Sequence, residues 1–170
     1  MIEARYDEAF AAFQSALGEA RVLTAPLEIA PYARNTFHTA QGIRGVIRAS
    51  STEEVREVAR IASAFGVPIY PISAGKNWGY GASVPVCDGC VILDLGGMNR
   101  ILDYGEEMGF LTIEPGVTFQ QAAEFLERAG SRFMLNVTGA PPITSVIGNT
   151  LERGLGAGPY GDRWQFVCGL

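Results

Sequence analysis

Lysine is almost missing from this chain: of 13 basic residues only Lys76 is a lysine, and the rest are arginines. Histidine is reduced to His38. Against 18 acidic residues the 13 basic ones leave a net charge of −5, and they form no basic stripe. A phosphate backbone needs such a stripe, so nucleic acid is excluded as a partner. No apolar run reaches the roughly 18 residues that a membrane-spanning helix needs. The first eight residues, MIEARYDE, are too charged for a secretion signal. The three cysteines, Cys87, Cys90 and Cys168, are too few and odd in number for a disulfide framework. These absences point to the cytoplasm. What is plentiful is apolar residues, at 48% with 18% charged, and glycine, with 21 among 170 residues. That balance belongs to a globular chain with its own core, one domain or two small subdomains. The glycines crowd late in the sequence, which points to special loops.

Periodicity supplies the elements. Tyr6, Phe10, Phe13 and Leu17 mark a helix over residues 3–17, stopped by Gly18. Residues 19–45, with Pro26 and Pro31, read as an irregular lead-in. Val46-Ile47-Arg48 reads as a short strand. Ser51 caps the next helix, with Glu54 completing a capping box, and Val55, Val58, Ala59, Ala62 and Phe65 form its apolar face. Gly66 ends it, and Val67–Ile72 is extended. This β-α-β unit implies parallel strands. Val91–Leu95, Ile101-Leu102 and Gly109–Glu114 read as further strands. Pro115-Gly116 signals a turn, and Thr118 with Gln121 caps a helix with Phe119, Ala122, Ala123 and Leu126 inward. Phe133–Leu135 reads as one more strand. Beyond Gly139 the periodicity fades, and Phe166–Leu170 looks like the start of a strand.

The sharpest motif is Ser73-Ala74-Gly75-Lys76-Asn77-Trp78-Gly79-Tyr80-Gly81, directly after a strand. Its glycines permit positive φ, consecutive N–H groups there can form an anion-binding nest, and Ser73, Lys76 and Asn77 can add donors. It is neither a Walker loop nor a Rossmann fingerprint, because the spacing differs. On these grounds alone it reads equally as a phosphate cradle and as a glycine-rich surface loop.

This loop resembles the pyrophosphate loop of the vanillyl-alcohol oxidase and p-cresol methylhydroxylase flavoproteins. The resemblance continues through Val91–Leu95, Met98–Ile101 and Glu114–Thr118. It runs on into Gly148–Gly154 and Pro159–Asp162, so that it covers residues 43–170. It implies an α+β, PCMH-like FAD-binding domain of two subdomains over residues 43–170, C-terminally incomplete. Residues 1–42 are then an N-terminal helix and lead-in. By the same resemblance FAD is the cofactor and Ser73, Ala74, Gly75, Lys76, Asn77, Trp78, Gly79, Tyr80 and Gly81 hold its pyrophosphate. Pro115, Gly116, Gly148, Asn149, Gly154 and Gly156 pass close to it. Tyr80 matches a loop tyrosine that binds a substrate phenolate, which makes it the catalytic candidate. In the complete enzymes of this family substrate gives a hydride to flavin N5.

Two positions depart from the phenol-oxidising pattern. Ala157 stands where those members often carry a tyrosine, and Ala140 stands near the place of an acidic residue beside the flavin. Family enzymes are also much longer and carry a substrate-binding cap. The chain is therefore expected to be either the FAD-binding portion of such an oxidoreductase or a truncated, non-catalytic fragment. In a third reading a second chain supplies the cap. A module for another nucleotide is the reading outside flavin chemistry.

The remaining signals are weaker. Cys87-Asp88-Gly89-Cys90 has the spacing of a redox pair or half a zinc site, but Asp88-Gly89 is a strong turn dipeptide and no second ligand pair accompanies it, so no metal is assigned. His38 reads as structural. Asp94 and Glu114 form an acid/base pair only if the fold brings them together. Asp162 and Arg163 read as a local ion pair. Trp78 can stack on an aromatic ring or pack on the sheet.

Overall fold

The computed structural model describes residues 2–35, 39–76, 83–136, 138–156, 158 and 161–169. The first helix, α1, spans Ile2–Leu17, and Gly18 follows it with φ +93°. The lead-in is more ordered than its composition suggests. It holds a two-residue strand β1 (Val22–Leu23) and one turn of helix α2 (Pro26–Ile29). Strand β2 (Ile43–Arg48) begins three residues before the Val46-Ile47-Arg48 triplet that announces it. Helix α3 (Thr52–Phe65) follows, then β3 (Ile69–Ile72) and β4 (Cys90–Asp94). A hairpin of β5 (Ile101–Gly105) and β6 (Phe110–Ile113) leads to α4 (Phe119–Arg128) and the short α5 (Val146–Leu151). A 3-10 turn covers Arg163–Phe166.

The main sheet has the order β1-β2-β4-β3. Strands β2, β4 and β3 are parallel, and β1 pairs antiparallel with β2. The β2-α3-β3 unit is therefore parallel as its pattern requires, but β4 lies between its two strands. Cys90 to Leu93 of β4 are all buried, as a central strand covered on both faces should be. The period of two divides them. Val91 and Leu93 join Ile47 in a core with Tyr6, Ala9 and Phe13 of α1 and Val58, Ile61 and Ala62 of α3. Ile92 and Val46 face the other way, toward Leu23, Ile72, Tyr32 and Tyr70. The inward face of α3 thus uses Ile61, and Ala59 is exposed. On α4 Phe119, Ala122 and Leu126 are buried and Ala123 is exposed. Phe125 supplies that flank, edge-on to Tyr104 with 5.5 Å between ring centroids.

The caps follow their sequences with one change. Thr118 and Gln121 form the reciprocal box on α4. On α3 Ser51 accepts the Glu54 N–H (3.2 Å), but Glu54 Oε2 takes the N–H of Ser50 (2.7 Å). Arg21 reaches the same carboxylate at 2.8 Å, and that contact draws it one residue upstream of the cap. Gly66 closes α3 in the left-handed conformation at φ +62°. Residues 133–135 form no strand, and neither do Val167–Gly169; no partner strand lies beside either among the described residues. Asp88-Gly89 is a turn into β4, with the Gly42 N–H on Asp88 Oδ1 (2.7 Å) and the Tyr6 hydroxyl on the Gly89 carbonyl (2.7 Å). Among the described residues no helix is long and apolar enough to cross a membrane, and no acidic, cysteine and histidine cluster can hold a metal.

Phe13 is fully buried where α1 meets α3 and the sheet. Phe13→Ala is expected to cost about 3–5 kcal/mol of unfolding free energy, read from urea denaturation midpoints, because the cavity lies in the main core. A loss below about 1 kcal/mol would mean that α1 is not part of the cooperative unit.

Candidate functional site

Strands β3 and β4 end side by side, with Ile72 opposite Asp94. Beyond β3 the backbone turns through Ser73–Lys76, and Gly75 has φ +60°. A side chain there is strained, and its Cβ would stand 3.3 Å from both Ile72 Cδ1 and Ser83 Cβ. Beyond β4 the Leu95 N–H returns to the Ile72 carbonyl at 2.9 Å. The turn after β6 then closes on this exit. Gly116 donates its N–H to the Met98 carbonyl at 2.7 Å. A Cβ on Gly116 would lie 2.7 Å from the carbonyl oxygens of Gly96 and Met98 and 2.8 Å from that of Leu95. Only glycine fits. The third wall comes from Thr144–Gly148. It is held by Phe119 N–H on the Thr144 carbonyl (3.0 Å), Val146 N–H on the Val117 carbonyl (3.0 Å) and Ser145 Oγ on the Pro115 carbonyl (2.6 Å).

These three segments enclose a cleft of about 240 Å³, lined by Ser73, Ala74, Gly75, Lys76, Pro115 and Gly148, with Thr144, Ser145 and Glu152 beside them. Six of the site residues expected from sequence therefore share one wall or another of it. Gly148 faces Ser73 closely, since a Cβ there would be 3.3 Å from Ser73 Oγ. Gly116 lies behind Pro115 rather than in the lining. Asn149 is buried with Gly154 packed on its side-chain amide, and Gly156 packs on the amide of Asn136. None of these three lines the cleft. Asn77, Trp78, Gly79, Tyr80 and Gly81 lie outside the described residues, as do His38, Ala157, Pro159 and Tyr160. A larger shallow groove of about 360 Å³ between α1 and α3 carries, as its charged lining, only Glu57 and Arg60, which are already paired with each other.

Thr144 and Ser145 were not among the expected residues. The signal was present as a polar pair ahead of Val146-Ile147, an N-cap pattern, and Ser145 Oγ does accept the Gly148 N–H at 3.0 Å. Thr144 is 1% exposed, and its hydroxyl has no partner among the described residues.

Asp94 and Glu114 are spent elsewhere, while Glu152 stays in the cleft lining. Asp94 accepts the Tyr32 hydroxyl (2.7 Å) and the Gly96 N–H (2.8 Å). Burial first, and then the Asp94 carboxylate, push the Tyr32 hydroxyl above its ordinary range. Glu114, 6% exposed, accepts the backbone N–H of Arg100 (2.8 Å) and both Nε and Nη2 of its guanidinium (3.0 and 2.7 Å). That hydrogen bonding holds Glu114 below the usual carboxylate range. The two carboxylates are saturated separately and form no acid/base pair. Burial pushes the Cys90 thiol up, away from the reactive thiolate, and Tyr70 in the cleft wall is pushed up by burial and by Glu152. Asp162 and Arg163 also fail to pair. Asp162 caps the 3-10 turn through the Trp164 N–H (3.0 Å) and Arg163 lies over the Phe119 ring.

A profile of the FAD binding domain family matches residues 43–170. A 1'-carboxy-chondrochloren decarboxylase from Chondromyces crocatus is 46% identical over 96% of the chain, which covers 30% of that relative. The 4-cresol dehydrogenase (hydroxylating) flavoprotein subunit of Pseudomonas putida is 33% identical over 99% of the chain, which covers 33% of it. In structure, p-cresol methylhydroxylase with substrate bound superposes with a TM-score of 0.91 at 33% identity, covering 95% of this chain and 32% of that one. The 4-ethylphenol oxidase from Gulosibacter chungangensis gives a TM-score of 0.87 at 32% identity. The chain thus spans about a third of the length of the relatives it matches. It belongs to the FAD binding domain family, in the branch of the p-cresol methylhydroxylase and vanillyl-alcohol oxidase flavoproteins, and its cofactor is FAD.

Two outcomes follow from this geometry. Gly116→Ala should lose roughly 1–3 kcal/mol of stability or more in chemical denaturation, because three carbonyls cannot all retreat. Glu114→Gln should unfold at a lower temperature than the wild type near pH 7. A carboxyl whose folded pKa is depressed contributes above its unfolded value, about 4.3, and the contribution fades as pH falls through the folded value. The gap between the two melting curves should therefore close in acid; a constant gap from pH 7 to pH 3 would rule out the charge as its cause.

Proposed function

We propose that this chain is the FAD-binding portion of a flavin-dependent oxidoreductase, and that the cleft between Ser73–Lys76, Pro115 and Thr144–Gly148 receives the FAD pyrophosphate. The observation that carries this reading is the convergence of three segments, distant in sequence, on one cleft that holds the lone lysine. Its volume, about 240 Å³, is below the roughly 300–1,000 Å³ that encloses a whole small-molecule ligand, which suits one part of a dinucleotide. The residues present fit the group. Gly75 lets the backbone curl so that successive N–H groups face an anion. The Lys76 ammonium opposes the diphosphate charge. Asn77, Trp78, Gly79, Tyr80 and Gly81 extend the same cradle by sequence. When bound, the flavin supplies two-electron redox chemistry, with N5 as the hydride acceptor. Tyr80 is assigned to orient the substrate's acidic group.

The substrate class we infer is a small organic molecule with an acidic group. Relatives are named for a cresol, for D-lactate, for D-2-hydroxyglutarate and for glycolate. A second reading has its own support. Because the chain spans about a third of its relatives, a further chain can supply the cap over the flavin, and this chain alone would then bind cofactor without turning over.

The test is direct. The purified chain is mixed with FAD, the excess is removed, and the visible spectrum is recorded. A retained flavin spectrum near one equivalent supports the reading; a soluble, colourless chain overturns it. Gly75→Asp and Gly75→Asn form the matched controls, because both side chains tolerate positive φ. Gly75→Asp should weaken FAD roughly tenfold or more relative to Gly75→Asn, since a carboxylate meets the diphosphate. Equal affinities would move the pyrophosphate elsewhere.

A further inference from the structure

The cleft leaves one sequence motif unused, Cys87-Asp88-Gly89-Cys90. Both cysteines are free, Cys87 exposed and Cys90 buried. Asp88 and Gly89 form the turn between them. Gly89 has φ +78°, the left-handed value that the third residue of a type II turn takes, so Cys87 and Cys90 are the first and fourth residues. The ends of such a turn bring their Cα atoms within about 7 Å, and a disulfide spans Cα separations of roughly 4.4–6.8 Å.

The turn is held at both central residues. Asp88 Oδ1 accepts the Gly42 N–H at 2.7 Å, and the Gly89 N–H returns to the Gly42 carbonyl at 3.0 Å. The Gly89 carbonyl accepts the Tyr6 hydroxyl at 2.7 Å. The two thiols also feel each other. Burial first, and then Cys87, push the Cys90 thiol above its ordinary range.

The exposures set the order of events. An oxidant in water meets Cys87, whereas Cys90 is 5% exposed. Cys168 is exposed too, but no cysteine is near it in the sequence, and its Sγ approaches the Phe166 carbonyl at 3.9 Å. It serves as an internal control.

We propose that Cys87 and Cys90 form a reversible dithiol–disulfide site, oxidised by hydrogen peroxide at Cys87. The Cys87 thiolate attacks one peroxide oxygen and the O–O bond breaks. The other oxygen leaves as hydroxide, which the proton lost by Cys87 converts to water, and Cys87 becomes a sulfenic acid. Cys90 sulfur then attacks Cys87 Sγ. The S–S bond forms, the S–O bond breaks, and the hydroxyl leaves as water with the Cys90 proton. Two thiols and one peroxide thus give one disulfide and two waters. Neither step needs room for a bound molecule at Cys90, because the new bond joins two atoms of one turn. The disulfide halts Cys87 short of the irreversible sulfinic acid, and a thiol reductant restores it. Neither cysteine lines the cleft, so the site does not depend on what the cleft binds.

The experiment treats the whole folded chain with hydrogen peroxide until Cys87 no longer alkylates. Remaining thiols are then alkylated in denaturant, and the unreduced digest is read by mass spectrometry. The expected product is a peptide holding Cys87 and Cys90, unalkylated, lighter by two hydrogens and restored by dithiothreitol. Cys168 in the same sample should be alkylated or carry added oxygen. Cys90→Ser should abolish the product and raise dimedone labelling of Cys87 severalfold, whereas Cys168→Ser should give the wild-type product. The proposal is overturned if Cys87 in the wild type goes to the sulfinic acid while Cys90 still alkylates. A disulfide from Cys87 to Cys168 or to a second molecule overturns it as well, as does a Cys87–Cys90 bond that forms only in the unfolded chain.

Discussion

The contact on which the rest of the site depends is backbone against backbone. Three carbonyls, from Leu95, Gly96 and Met98, crowd over Gly116. They belong to the exit of β4, whereas Gly116 belongs to the return of the β5–β6 hairpin. A pair of strands standing alone is marginal, so the hairpin needs an anchor. It has one on each side of the turn: the Gly116 N–H on Met98, and Glu114 gripped by both the backbone and the side chain of Arg100. Pro115 is carried between them into the cleft, and its carbonyl receives Ser145. The cleft walls are therefore set by close-packed main chain, which has few ways to relax.

Where the sequence was legible, one periodic signal sufficed. The helices α1, α3 and α4 and the strand β4 are local patterns, those of α3 and α4 reinforced by caps, and the chain forms them where expected. The misplaced details have local causes. Ala59 and Ala123 fit a helical stripe, but the orientation of α3 and α4 on the sheet turns Ile61 and Phe125 inward. The order of strands was not legible, because a β-α-β pattern specifies handedness and direction and leaves open which strand enters between. Helix α5 is six residues long and the 3-10 turn four, too short for any period to rise above the glycine-rich background.

The glycines illustrate a sharper limit. Gly75, Gly116, Gly148, Gly154 and Gly156 look alike in sequence, as places where something comes close. Gly75 and Gly148 line the cleft, but at Gly116 the neighbour is main chain, and at Gly154 and Gly156 it is an asparagine amide. A glycine records that a Cβ would collide; it does not record with what. Lys76 lines the cleft too, one residue after Gly75.

The sheet order has one more consequence. Strand β3 lies at the margin of the main sheet, and Pro71 sits within it. Pro68 and Ile72 turn their carbonyls toward β4, where they receive the N–H groups of Val91 and Leu95. Pro71, between them in the alternation, turns its nitrogen to the open side, where an ordinary residue would offer an N–H. A strand from another molecule laid along that margin finds a missing rung at its centre. The opposite margin, β1, is two residues long. The fold that frames the cleft is thus also poorly suited to templating its own aggregation.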